Sequence, residues 1–339
     1  MARKTRKNNL TSPELIAQVN PDNIRLMEDF IEYMRSTDIS ESTIAAYTSD
    51  LYIAFVWSLQ KNKNKFFVDW TKRDVISFQG WLLNENGNSP ARVKRLKASL
   101  SSMSNYIETI LDDEYPSFRN IIAKVKGPVN QPVREKTVLT NDQVEAMLDS
   151  LLEKGRTMIA CYVALAAYGG RRKAEILRFR VSDFDDSHLV CGGSLYKSDP
   201  IRTKGRGKGK YICCYTLAHK FKPFLDRWLE ERKAAGIESE WLFPAEDPAE
   251  HLEIGSVNSW MASLSRMTGM DIYTHSFRHY FTTMLSREGL PDSVIKEIQH
   301  WESLEMVSVY NDTTAEETLE EYFGEEGIKK KEAKGLADL

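Results

Sequence analysis

The chain has 339 residues, 42% of them apolar and 28% charged, with a formal net charge of −3. That length suits two domains, each able to bury its own core, and the composition is that of an ordinary soluble protein. No apolar run approaches the roughly 18 residues of a membrane span, and the basic, polar start MARKTRKNNL has no hydrophobic segment behind it to make a signal peptide. A cytoplasmic protein with no membrane partner is expected. Four cysteines form no CxxC pair and six histidines show no zinc spacing, so reduced, structural thiols and no metal site are expected.

Whole-chain charge conceals its distribution. Residues 1–138 carry a net +4 and the remainder −7, with nine acidic residues in the last 29. The positive charge is clustered, in RKTRK near the start, KNKNK at 61–65, RVKRLK at 92–97 and TKGRGKGK at 203–210. Local basic stripes, rather than total charge, set phosphate binding.

In chain order, residues 1–19 read as a flexible arm. Asn20 followed by Pro21 is an N-cap with proline at the first helical position, opening a helix with Ile24, Met27, Phe30 and Met34 on one side. Ser40 caps a second helix carrying Ile44, Tyr47, Leu51 and Phe55. Thr71 with Asp74 forms a capping box for a third, with Val75, Phe78, Trp81 and Leu82. Ser89 and Pro90 start the fourth and longest, where Val93, Leu96, Leu100, Met103, Ile107 and Ile110 recur at steps of three and four. A helical bundle over 20–126 follows, with Arg92, Lys94, Arg95 and Lys97 of the fourth helix as candidate DNA contacts. The aperiodic GPVNQPVREKTVLT makes 127–138 a linker, a strap that would let two domains close around a rod-like partner.

Thr140 with Gln143 is a second capping box. TMIACYVALAAYGG is apolar nearly all round, the pattern of a buried helix stopped by its glycines, and Arg171, Arg172, Lys173 and Glu175 follow immediately. The segment 188–216 reads as strands around the Gly/Lys turn. Helices are expected at 216–235, 256–268, 273–288, 292–300 and 303–311. The last residues, 324–339, form a charged tail. The fold class is mainly α with a small β-sheet, an α+β arrangement.

The stretch from Thr274 to Tyr310 carries the chemistry. His275 and Arg278 are three apart in a helical pattern and share a face; Trp301 comes 23 residues after Arg278, and Tyr310 nine after that. Cutting a phosphodiester requires neutralising the non-bridging oxygens as the pentacoordinate transition state forms. Guanidinium forks do this without a metal, and Arg172 and Arg278 are the candidates. A phenol needs a base or a positive field to act as nucleophile near neutral pH. His275 is placed to take the Tyr310 proton, Lys204 (with Lys208 in reserve) to protonate the departing 5′ oxygen, and the Trp301 indole N–H to donate to a phosphate oxygen. Tyr322, among acidic residues, is a poorer phenol, and GRGKG lacks the Ser or Thr of a nucleotide-binding loop.

These residues, in GGRRKAEILRFRVSDF, TKGRGKGK, HSFRH, QHW and SVYND, together resemble the tyrosine recombinase (phage integrase) family, over about residues 20–325. The resemblance implies a site-specific DNA recombinase of a mobile element, with a helical core-binding domain (20–126) and a catalytic domain (139–323). Its nucleophile would make a 3′-phosphotyrosyl link and free a 5′ hydroxyl, without ATP, metal or other cofactor. Carried over, the catalytic set is Arg172, Lys204, His275, Arg278, Trp301 and Tyr310, with Glu175 behind them; Arg206 and Lys208 join the DNA contacts. Arg171 fills a slot that is usually apolar in the family, and His300 one that is commonly glycine. The implied partners are double-stranded DNA, three further copies of the chain in a tetramer on two duplexes, and an accessory bending or directionality factor, which places the protein at the nucleoid. A silent DNA-binding relative acting as an architectural factor or regulator, or a swivelling topoisomerase, are the competing readings.

Overall fold

The computed structural model describes residues 10–129, 137–203 and 209–314, with the two-residue strands Phe323–Gly324 and Gly327–Ile328 beyond them. The chain forms two compact units, each with its own apolar core. The first contains α1 (Pro13–Ile16), α2 (Pro21–Ser36), α3 (Glu41–Lys61), α4 (Lys72–Gly80), α5 (Pro90–Ile110) and α6 (Ile121–Lys124). Asn20, Ser40, Thr71 and Ser89 cap α2 to α5 through their side chains, and Thr71 and Asp74 complete the reciprocal box. Each cap satisfies a backbone N–H that the first turn cannot pair internally, which is why these starts were readable from sequence. Phe30, Phe55, Trp57, Phe67, Phe78, Leu82, Val93 and Leu100 are among the buried residues of this core.

Three features depart from the reading of the sequence. Within the expected arm, Ser12 caps α1 with Pro13 at its first position, and Val19 is buried; a capped turn and an apolar anchor order residues 12–19. Trp81 and Leu82 do continue the third helix as expected, with Leu82 buried, but as a π-helical turn over Trp81–Glu85 rather than as α-helix. The basic face of α5 is only partly free. Arg92 and Arg95 reach the fully buried Asp50 at 2.7 and 3.4 Å, and Ser99 donates to the same carboxylate. Lys97, expected as a DNA contact, is buried and donates through Nζ to the Val125 carbonyl, and burial pulls its pKa down. Its four-carbon stem lets a cationic head cross the helix edge to a carbonyl, a freedom helical spacing does not encode. Lys94 and Arg95 remain exposed.

The second unit is built around α8 (Thr157–Gly169), whose residues 160–169 are all buried. It packs against α7 (Asn141–Glu153), α10 (Ala218–Ala234), α12 (Thr274–Arg287) and a sheet strand. The small helix α9 (Lys173–Ile176) follows α8, then the antiparallel sheet β1 (Leu189–Val190), β2 (Leu195–Thr203) and β3 (Lys210–Leu217), in that spatial order. Register runs from Leu195 opposite Leu217 to Thr203 opposite Lys210, with a shift between Lys197 and Pro200. After α10 come α11 (Ile254–Thr268), α12, α13 (Asp292–Gln299) and α14 (Glu305–Tyr310). Among the described residues no helix is long and apolar enough to cross a membrane. Lys204, Arg206, Lys208, Tyr322 and most of the charged tail lie outside the described residues.

Because Asp50 is the buried anion that holds Arg92 and Arg95 over α3, Asp50→Ala strands a half-buried guanidinium. It is expected to cost about 2–4 kcal/mol, less than a fully enclosed pair because Arg95 can rehydrate. Urea unfolding checks this, and a change under about 0.5 kcal/mol, the range of a neutral surface substitution, would count against it.

Candidate active site

α8 ends where Gly170 enters the left-handed region, at φ +62°. A Cβ there would lie 2.4 Å from both Phe281 of α12 and the Gln299 amide of α13, so only glycine lets the chain turn while three helices meet. The turn releases Arg171 and Arg172. Its carbonyl accepts a 2.7 Å hydrogen bond from Nη1 of Arg278, which ties the α12 arginine to the backbone two residues before Arg172.

Arg278 is 0% exposed, and its Nε and Nη2 have no hydrogen-bond partner among the described residues. Arg232 shows the contrasting, structural case. Also buried, it gives three bonds of 2.7–3.0 Å to the carbonyls of Ser239, Trp241 and Leu242. A buried guanidinium left with unused donors is costly unless an anion meets them. Burial, and then the charges of Arg171 and Arg172, lower Arg278 to about 10, so it stays protonated at neutral pH.

Arg172 stands at the start of α9, its side chain 40% exposed. Glu175, buried one turn on, accepts from its backbone N–H at 3.0 Å and from its Nη1 at 2.9 Å. The same carboxylate accepts from Thr203 Oγ1, the last residue of β2. Burial acts to raise the Glu175 pKa, but bonds from Thr203 and Arg172 outweigh it and hold the carboxyl below its usual value. Glu175 therefore remains an anion, aims Arg172, and anchors the strand end directly before Lys204. Arg171 turns the other way, fully buried, with Nη2 donating to the Ile298 carbonyl near the end of α13 and Nε and Nη1 without a hydrogen-bond partner among the described residues.

His300 takes the left-handed conformation at φ 51°, which accounts for a slot suited to glycine. Its Nε2 lies 2.5 Å from the Cys213 carbonyl and its ring stacks on Tyr215, so it faces β3 rather than joining Trp301. Trp301 is 6% exposed, and its Nε1 has no hydrogen-bond partner among the described residues. Its ring stacks on Tyr310 at 5.1 Å and 20°. The Arg278 guanidinium lies 5.0 Å from the Trp301 centroid and 5.3 Å from that of Tyr310. The His275 ring is 6.4 Å from the Tyr310 ring. Partial burial, then the charges of Arg278 and Arg172, lower the His275 pKa below the ordinary imidazole value, which keeps it neutral and able to accept a proton at pH 7.

The structure thus brings Arg278, Trp301, Tyr310 and His275 into one cluster, with Arg172 joined through Gly170. Sequence reasoning missed Thr203, whose only signal was its place just before the candidate lysine. Among the described residues one trio of metal-type side chains, Asp183, His188 and Asp199, lies close together, but Asp183 already accepts backbone N–H groups of Arg180 and Asp199.

Residues 137–317 match the Phage integrase family, and residues 26–117 match the family described as Phage integrase, N-terminal SAM-like domain. The chain belongs to the phage integrase family. It is similar to the SPbeta prophage-derived recombinase-like protein YomM of Bacillus subtilis (strain 168), with 28% identity over 276 residues, 79% of this chain and 80% of that one. A tyrosine recombinase of Thermosipho africanus (strain TCF52B) is 24% identical over 85% of this chain and 93% of its own. The fold is similar to that of XerH site-specific recombinase in a post-cleavage complex with palindromic difH substrate, at TM-score 0.65 and 18% identity, over 95% of this chain and 90% of that one.

Gly170→Ala must move Phe281 and Gln299 and adopt a strained φ. A loss of at least about 2 kcal/mol in stability is expected, together with impaired DNA cleavage because the Arg278 anchor shifts. A variant with parental melting temperature and cleavage would contradict this account of the turn.

Proposed function

We infer that this protein is a site-specific DNA recombinase in which Tyr310 is the nucleophile and Arg172 and Arg278 form the phosphate clamp. The observation that carries this reading is Arg278: buried, protonated, with two donor nitrogens unpaired, over the rings of Tyr310 and Trp301 and hydrogen-bonded to the turn that presents Arg172. The Tyr310 oxygen attacks the scissile phosphorus, a new P–O bond to tyrosine forms, and the bond to the 5′ oxygen breaks. His275, neutral, takes the phenol proton. The 5′ oxygen receives a proton from the lysine that follows Thr203, Lys204 in this assignment. The two guanidiniums and the Trp301 N–H meet the charge that grows on the non-bridging oxygens. Since one phosphoester replaces another, the bond energy is retained and a 5′ hydroxyl from a second duplex can reverse the step.

The partner is double-stranded DNA, in keeping with the substrate named for the XerH complex. Each chain brings one nucleophile, and exchanging both strands of two duplexes breaks four phosphodiesters. Four copies on two duplexes is therefore the assembly proposed. Residues 20–126 are assigned to core binding, with Lys94 and Arg95 as their exposed cations, and 139–323 to catalysis.

A nicked suicide duplex carrying the recombination site tests the nucleophile. The parent chain is expected to trap a covalent adduct and Tyr310→Phe to trap none; an adduct at parental yield in that variant would refute the assignment. Arg278→Ala should cut the cleavage rate by about 10² to 10³ with DNA affinity little changed, as for other lost oxyanion donors.

The pH profile reports the base. Because the His275 pKa is lowered, cleavage at subsaturating DNA is expected to rise with pH through a midpoint below about 6.5 and to be flat around neutrality, falling only where Arg278, at about 10, and the lysine acid lose their protons. The same residue destabilises the fold on acidification, since the unfolded chain takes up the proton first. A midpoint near 8 would assign the base elsewhere.

A further inference from the structure

His275, His279, Thr283 and Ser286 recur along α12 at steps of four, four and three, and so line one face. The chain that leaves Tyr310 is fastened to that face. Nδ1 of His279 lies 3.1 Å from Oδ2 of Asp312, both side chains nearly enclosed. The Asp312 backbone N–H donates to Thr283 Oγ1 at 2.9 Å, and that hydroxyl donates to the Tyr310 carbonyl at 3.4 Å. Asn311 Nδ2 donates to Ser286 Oγ at 2.9 Å. The His279 ring is 4.7 Å from the Tyr310 ring, nearer than the His275 ring.

The fastening answers a mechanical need. α14 has six residues and no side-chain cap at its start, far short of the length at which a helix holds itself together. Tyr310 is its last residue, so the position of the phenol has to come from tertiary contacts.

We propose that His279 and Asp312 form a positioning pair for the Tyr310 nucleophile. The carboxylate fixes the imidazole, the imidazole ring is a wall beside Trp301 against which the phenol packs, and the pair locks the end of α14 to the helix that carries His275 and Arg278. The pair touches the nucleophile and leaves the proton to His275. The proposal rests on Tyr310 being the nucleophile, and the test separates the two ideas.

Single-turnover adduct formation on the suicide duplex, at saturating full-length protein, yields a rate constant and an amplitude. A pair that only stabilises the fold would change the amplitude and the melting temperature, because fewer molecules would be folded, and would leave the rate constant alone. A positioning pair changes the rate constant. His279→Leu and Asp312→Ala are each expected to slow adduct formation by about 10- to 100-fold, the scale of an ångström-level misplacement, with DNA affinity within about twofold of the parent. His279→Asn, whose amide can take the Nδ1 position, should recover most of the rate. The Leu/Ala double variant should be no slower than the slower single, since the two residues act as one unit. If His279→Leu does not fold, the isosteric Asp312→Asn carries the test, with the same loss expected. Parental rate constants in the folded variants, or losses that multiply in the double, overturn the pair. Tyr310→Phe run alongside distinguishes the failures: an adduct there sinks the nucleophile assignment, whereas its absence with parental rates in the pair variants sinks only this proposal.

Discussion

The hydrogen bond from Arg278 to the Gly170 carbonyl is the constraint on which the rest of the catalytic unit depends. It joins α12 to the end of the buried helix α8, elements more than a hundred residues apart in sequence. Gly170 is the one residue type that fits where α8, α12 and α13 converge. From that crossing the guanidinium of Arg278 faces the rings of Trp301 and Tyr310, and Arg172 emerges two residues on. The packing of a glycine turn thereby sets the spacing of Arg172 and Arg278.

The charge arrangement is unbalanced by design of the sequence. Arg171, Arg172 and Arg278 converge on a region that holds the buried carboxylate of Glu175. Glu175 is spent on Arg172 and Thr203, and Arg171 gives one donor nitrogen to the end of α13. Among the described residues Arg171 and Arg278 each keep two unpaired donor nitrogens, and it is Arg278 that lies over the Trp301 and Tyr310 rings. Burial, and then the same positive charges, lower the His275 pKa, so the imidazole beside these arginines is held neutral.

The first unit distributes its cations differently. Of the four basic residues on α5, two lean on Asp50 and one is buried against Val125. A basic run on a helix thus divides into internal ties and an exposed remainder, and Asp50 decides the division. Arg95 belongs to both, since it reaches Asp50 while staying exposed.

The sequence alone was enough for the helix starts, the all-α character of the first unit and the strands on either side of the Gly/Lys run. Caps, periodicity and the order Arg, HxxR, Trp, Tyr are local or linear signals. Side-chain direction at long range was not legible. That Lys97 turns inward, that His300 faces β3 while Trp301 faces Tyr310, and that Asp312 meets His279 all depend on which helices pack together. A residue's spacing fixes its helical face, whereas its partner comes from another part of the chain, and only the folded structure brings the two within a few ångströms.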